Sequence, residues 1–151
     1  MLIDQKQYEE IIKIFPRVCV DILIVDDQER VLLILRENEP AKGQWWFPGG
    51  RIHIGETRME AARRKLKEEC NLEVTKLDEV ATFDLLFIVE GTTIHDVTIL
   101  FKMVVSSNCK IQTDKQAKAY GWFTPAECGA LNLHPYMHEN TTCPIKIMSI
   151  D

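Results

Sequence analysis

The 151-residue sequence predicts an α/β fold in which a mixed β-sheet is covered by helices on both faces. Three observations predict it. Val18–Val25 and Val31–Arg36 are aliphatic, β-branched runs that do not alternate strictly, as expected of strands buried on both sides. Val80–Val89 and Ile94–Val105 read as a long hairpin around Glu90-Gly91-Thr92-Thr93. Between and after these runs stand segments with complete helix-start signals, at Thr57 and Thr124.

Taken in order, residues 4–15 predict a short helix. Asp4 is its N-cap, Gln7 completes a capping-box arrangement, and Ile11, Ile12 and Phe15 give it one apolar side before Pro16 stops it. Asp26-Asp27-Gln28-Glu29-Arg30 turns the first strand into the second. A loop from Pro40 to Phe47 leads into Pro48-Gly49-Gly50. Thr57 and Glu60 form a capping box that opens the next helix. Asn71 ends that helix, because asparagine tolerates the left-handed conformation needed there. Tyr120–Phe123 reads as a last short strand. Thr124-Pro125-Ala126-Glu127 supplies N-cap, N1 proline and N3 glutamate for a final helix. The tail after Asn132 is ambiguous. No repeat, low-complexity tract or linker divides residues 1–151, so the expectation is one domain.

A hydrophobic content of 46% with 27% charged residues is that of a soluble globular protein. No apolar run reaches bilayer-spanning length, and the polar start MLIDQKQYEE is unlike a signal peptide, so the expectation is a cytoplasmic protein. The five cysteines are odd in number, scattered and without a C-x-x-C pair, which argues for reduced, partly buried thiols. A net charge of −5 argues against a nucleic-acid binder, which needs a basic face. It leaves room for a phosphorylated small substrate, since an acidic pocket holds a divalent cation and the cation meets the phosphates.

The chemistry concentrates in Gly49–Leu72. On a helix Glu60, Arg64 and Glu68 form one charged stripe, and Glu69 lies about 100° round from Glu68. Two adjacent carboxylates at a helix C-terminus lack the favourable dipole of an N-terminus and need another positive charge, which Mg²⁺ or Mn²⁺ supplies with hard oxygen ligation. An isolated Glu-Glu pair is ordinarily a solvated helix face. The glycine loop, Glu56 and Arg64 at fixed spacing favour a site instead.

Written from Gly50, the spacing is G-x5-E-x7-R-x-L-x-E-E-x-N-L. It resembles the Nudix box of the Nudix hydrolases, with two departures. Asn71 replaces a glycine and is a conservative helix stop, whereas Lys65 stands where the box carries a glutamate. The resemblance implies an α/β/α sandwich and a Mg²⁺ or Mn²⁺ cofactor held by the Gly49 carbonyl, Glu68 and Glu69. Glu56 would help to organise the site, and Arg64 would orient the carboxylates. A protonated lysine at position 65 has no free lone pair, so Lys65 neither ligates a hard cation nor serves as a base at neutral pH. Three readings follow: a base placed elsewhere, a weak hydrolase, or a catalytically silent nucleotide-binding domain.

The flanks Arg17-Val18-Cys19-Val20-Asp21, Leu33-Ile34-Leu35-Arg36, Lys42–Arg51, Asp114-Lys115-Gln116 and Tyr120-Gly121-Trp122-Phe123 are similar to the GDP-mannose mannosyl hydrolases. That subgroup also lacks the glutamate at the Lys65 position, attacks the anomeric carbon and releases GDP and free sugar. The likeness implies that Asp21, Arg36 and Arg51 contact sugar or diphosphate, that Gln116 is a metal ligand, and that the chain forms a homodimer. Ala117 departs from it, because those enzymes carry their catalytic histidine directly after the glutamine. His95, where they also have a histidine, is the replacement candidate beside Glu68, Glu69 and Arg64, and His53 is a weaker one. The alternatives are plainer: surface ion pairs for Arg36 and Arg51, and a surface or satisfied core position for His95. Asp21, in an apolar strand, needs a specific partner in either case. His134 and His138 are four apart, but Pro135 is expected to interrupt a metal pair there. Trp45 and Trp46 read more as core than as a platform for a base. The expectation is Mg²⁺-dependent hydrolysis of a nucleoside diphosphate linked to another moiety, foremost a nucleotide sugar such as GDP-mannose. The alternatives are attack at phosphorus on a nucleoside triphosphate, ADP-ribose or a dinucleotide, and the silent binder.

Overall fold

A computed structural model describes residues 3–113 and 117–142. Its elements run α1 (Gln5–Ile11), β1 (Arg17–Asp26), β2 (Val31–Arg36), β3 (Trp45–Trp46), β4 (Gly49–Arg51), α2 (Arg58–Cys70), β5 (Asp78–Val89), β6 (Thr92–Val105), β7 (Ala117–Phe123), α3 (Pro125–Ala130) and α4 (Pro135–Thr142). Among the described residues, seven strands form one sheet ordered β3-β2-β1-β6-β5, with β4 paired to β1 and β7 to β2. β1 and β6 are parallel and the other pairings are antiparallel, so the sheet is mixed as the sequence predicts.

Both faces of the central strands are covered, which explains why β1 shows no alternation. Leu23 and Val25 point into a core closed by Cys128, Tyr136 and Met137 of α3 and α4. Val20, Ile22 and Ile24 point the other way, onto Ala61, Ala62, Leu66 and Cys70 of α2. Pairing β1 with β6 in parallel requires a crossover, and the chain between them carries α2 across the second face. Among the described residues no helix is long and apolar enough to cross a membrane. Cys19, Cys70 and Cys128 are buried, and Cys109 is half-buried.

The expected helix over residues 4–15 is shorter than its apolar pattern. Gln7 N donates to Asp4 Oδ1 at 2.9 Å, so the N-cap is as expected, but the helix ends at Ile11. Of the expected stripe only Ile12 packs against the core, while Ile11 and Phe15 are exposed and so add little to helix stability. The expected Pro40–Phe47 loop contains β3, and the glycines that follow it open β4, both strands too short to show a period in sequence. The ambiguous tail supplies α4. Pro135 opens that helix rather than interrupting it, and His138 N donates to His134 O at 2.9 Å.

Candidate active site

The glycine loop becomes β4 because β1 accepts it closely. Asp21 pairs with Gly49 and Val20 with Gly50. A Cβ on Gly49 would lie 2.2 Å from Val20 O and 2.3 Å from Asp21 Oδ1, so no larger residue fits without moving backbone. The loop is then clamped from α2: Gly49 N donates to Glu69 Oε2 at 2.8 Å.

The α2 helix has firm ends that set where its carboxylates point. Thr57 and Glu60 close the expected capping box, which takes Glu60 out of the charged stripe. Asn71 ends the helix in the left-handed region with φ 53°. Arg64 joins the remaining carboxylates. Its Nε and Nη2 donate to the two oxygens of Glu56, Nη2 also reaches Arg51 O at 3.1 Å, and Nη1 lies 3.3 Å from both Glu68 oxygens. The Arg64 hydrogen bond, with a further one from His53 N, holds the Glu56 carboxyl at about 2. Lys65 lies in the same cluster, with Nζ 3.2 Å from Glu69 Oε1 and 3.3 Å from Glu68 Oε2.

On the opposite face of the sheet, a cleft is lined by Asp21, Arg36, Arg51 and Asp96, with Arg17, Trp46, Gly49 and Gly50. Thus Gly49 and Gly50 border the cleft, and on the α2 side Gly49 N meets Glu69 while Gly50 lies against the Lys65 side chain. Asp21 is buried, and its Oδ2 accepts from Tyr136 Oη at 3.0 Å and Trp46 Nε1 at 3.2 Å. Burial pushes its carboxyl up to about 7, against the pull of those two hydrogen bonds and of the Arg36 charge. Burial likewise pushes the Cys19 thiol up to about 12, with Asp96 adding to it. Arg36 Nε donates to Pro40 O at 3.0 Å, and Arg51 stacks its guanidinium 5.1 Å from the Tyr8 ring centre. Among the described residues neither arginine forms an ion pair, so the surface salt-bridge alternative finds no partner there.

His95 stands apart from these residues. Its Nε2 lies 3.2 Å from Asp84 Oδ1, and strand alternation turns it to the other face of β6 from Asp96 and Thr98, which line the cleft. His53 is exposed and contributes its backbone N–H. His134 is taken up by packing: its Nδ1 accepts from Tyr136 N, and its ring meets Trp46 and Phe87. Trp46 is core, and Trp45 packs edge-on against Phe123. Gln116 lies outside the described residues, while the Ala117 backbone pairs with Arg36.

Sequence reading missed Tyr136 and the Arg17–Asp96 pair. Arg17 grips Asp96 through Nε–Oδ1 at 2.7 Å and Nη2–Oδ2 at 2.6 Å, and gives Nη1 to the Tyr8 hydroxyl. No sequence spacing signals a bond across 79 residues; only the β1–β6 register brings the two together.

Among the described residues no three His, Cys, Asp or Glu side chains converge as a ready metal cage. The donors present nevertheless suit a hard cation. Glu68, Glu69 and the Gly49 carbonyl are oxygen ligands, and Mg²⁺ ordinarily takes only one or two carboxylates, with waters and substrate phosphates completing its shell.

A family model described as the NUDIX domain matches residues 15–142. The chain is 33% identical over 139 residues to the low-salt glycan biosynthesis protein Agl8 of Haloferax volcanii, covering 89% of this chain and 86% of that one. It is 44% identical over 69 residues to an ADP-ribose pyrophosphatase of Methanocaldococcus jannaschii, covering 46% of this chain and 39% of the relative. Among solved structures, a MutT Nudix hydrolase from Burkholderia pseudomallei superposes with a TM-score of 0.72 at 25% identity, covering 84% of this chain and 96% of that one. The Nudix domain of Shewanella oneidensis NrtR, complexed with ADP-ribose, superposes at 0.67 with 23% identity, covering 91% and 96%. The box, the sheet that carries it and these matches agree: the chain belongs to the Nudix hydrolase family.

Proposed function

We propose that the chain hydrolyses a nucleoside diphosphate linked to a second moiety, and that the preferred substrate is a nucleotide sugar, with GDP-mannose or another GDP-hexose foremost. The observation that carries this reading is the convergence of Asp21, Arg36 and Arg51 on one cleft bordered by Gly49 and Gly50. Arg36 and Arg51 offer bidentate donors to the diphosphate. Asp21 offers a carboxylate to sugar hydroxyls. Glu68, Glu69 and the Gly49 carbonyl, with Glu56 and Gln116 in support, would hold a divalent cation, Mg²⁺ or Mn²⁺. Held there, the cation would supply charge neutralisation for the diphosphate and for the leaving group. Arg64 fixes the carboxylates through its bonds to Glu56 and Glu68. The absence of a carboxylate at Lys65 favours attack of water on the anomeric carbon, with the sugar–oxygen bond breaking to give nucleoside diphosphate and free sugar. The glycan-biosynthesis name of the Haloferax relative supports a sugar-linked substrate.

Attack at phosphorus on ADP-ribose is the second reading, supported by the name of the Methanocaldococcus relative and the ligand of the Shewanella domain. A panel of nucleotide sugars, ADP-ribose, triphosphates and dinucleotides, incubated with Mg²⁺ in oxygen-18 water, separates the readings by product mass. Label in free sugar is the expected result. Label in the nucleotide phosphate establishes the second reading, and no turnover across the panel leaves a nucleotide-binding domain.

A further inference from the structure

Lys65 differs in kind from the residue the box ordinarily has at its position, and its surroundings give it a specific job. Its stem runs past Gly50, where a Cβ would come within 2.9 Å of Lys65 Cε, so the glycine leaves the path open. The ammonium ends 3.2 Å from Glu69 and 3.3 Å from Glu68, and only 14% of the side chain is exposed. Arg64 meanwhile occupies both oxygens of Glu56. The charges can be counted. Glu56 and Arg64 cancel, Glu68 and Glu69 contribute two negative charges, and Lys65 takes one back.

We propose that Lys65 is a tethered cation occupying one of the cation positions of the Glu68–Glu69 pair, so that the free protein binds a divalent metal weakly and at single occupancy. Substrate diphosphate then supplies the missing negative charge, and metal and nucleotide bind with strong mutual cooperativity. This inference rests on the metal-site reading above. The physical scale is sufficient: even at the dielectric of water, a unit charge about 4 Å from a divalent ion changes its affinity by at least about tenfold.

The test is Mn²⁺ titration of the full chain, followed by electron paramagnetic resonance of free Mn²⁺ and by calorimetry, with and without a non-hydrolysable nucleoside diphosphate. Lys65→Met should bind free Mn²⁺ at least about tenfold more tightly than wild type and lose most of the nucleotide-dependent gain. Lys65→Arg, which keeps the charge, should retain weak binding and the gain. Lys65→Glu should bind more tightly still and add a second ion. Thermal melting of each variant shows whether it is folded. Wild-type-like Mn²⁺ affinity in folded Lys65→Met overturns the tethered-cation role and leaves the metal site standing. No Mn²⁺ binding by wild type or any variant, with or without nucleotide, overturns both.

Discussion

Tyr136 donates its hydroxyl to Asp21 Oδ2 at 3.0 Å, joining α4 to the floor of the cleft across 115 residues of chain. Trp46 Nε1 is the second donor to the same oxygen. Both oppose the burial that pushes the Asp21 carboxyl up. Tyr136→Phe leaves the ring among Trp46, Phe47 and Phe83 but removes one donor from a buried acid. The expected loss is roughly 1–3 kcal/mol in urea denaturation. It should be larger at pH 8 than at pH 5, because a hydrogen bond to the ionised carboxylate is the stronger one. Equal stability of variant and wild type at pH 8 would show that the bond contributes nothing.

The Asp21 carboxyl also sets a pH dependence. Its folded value, about 7, lies above the ordinary carboxylate value of 3.8. Between those limits the native state binds one more proton than the unfolded state, so this group's stabilisation is fully present at low pH and fades as pH rises through about 7. Asp21→Asn keeps an acceptor for Tyr136 and Trp46 and removes the titration. The stability advantage of wild type over Asp21→Asn, measured by urea denaturation, should therefore shrink or reverse between pH 5 and pH 8, by a few kcal/mol at most. An advantage that grows towards pH 8 would contradict a raised carboxyl.

Parts of this site were legible in sequence because they depend on local geometry. The Thr57–Glu60 box, the Asn71 stop and the Gly49-Gly50 pair each obey short-range rules, and each stands where the sequence has it. The α2 carboxylates follow from those ends by helical phase alone. What could not be read was anything fixed by strand register. The Arg17–Asp96 pair needs the parallel β1–β6 alignment, and Tyr136 needs a helix whose sequence carries no clear apolar period. His95 illustrates the same limit: one residue along β6 separates the cleft face from the face on which it meets Asp84.

Glu69 tests the carboxylate pair with little risk to the fold. Glu69→Gln retains an oxygen for Gly49 N–H, so the clamp on β4 survives, but the charge opposite Lys65 and any incoming cation is gone. Turnover with Mg²⁺ should fall by at least about 100-fold, the upper end of what even outer-sphere partners of a metal ligand cost. The melting temperature should stay within a few degrees of wild type. Wild-type turnover in a folded Glu69→Gln protein would remove Glu69 from the metal site.

The two loop glycines make a paired prediction, since they are adjacent and differ in what a methyl group meets. At Gly49 the added carbon would collide with the Val20 carbonyl and the Asp21 carboxylate, one of them backbone in the central strand and the other held by Tyr136 and Trp46. Neither yields cheaply, so Gly49→Ala should cost at least about 1–3 kcal/mol, the usual range for overpacking. At Gly50 the added carbon meets the far end of Lys65, which can swing away. Gly50→Ala should therefore cost well under about 1 kcal/mol while lifting the ammonium off Glu68 and Glu69. Denaturation curves for the two variants check the order. A Gly50→Ala loss as large as that of Gly49→Ala would mean that Lys65 is held far more rigidly than contacts of 3.2 and 3.3 Å to two carboxylates require.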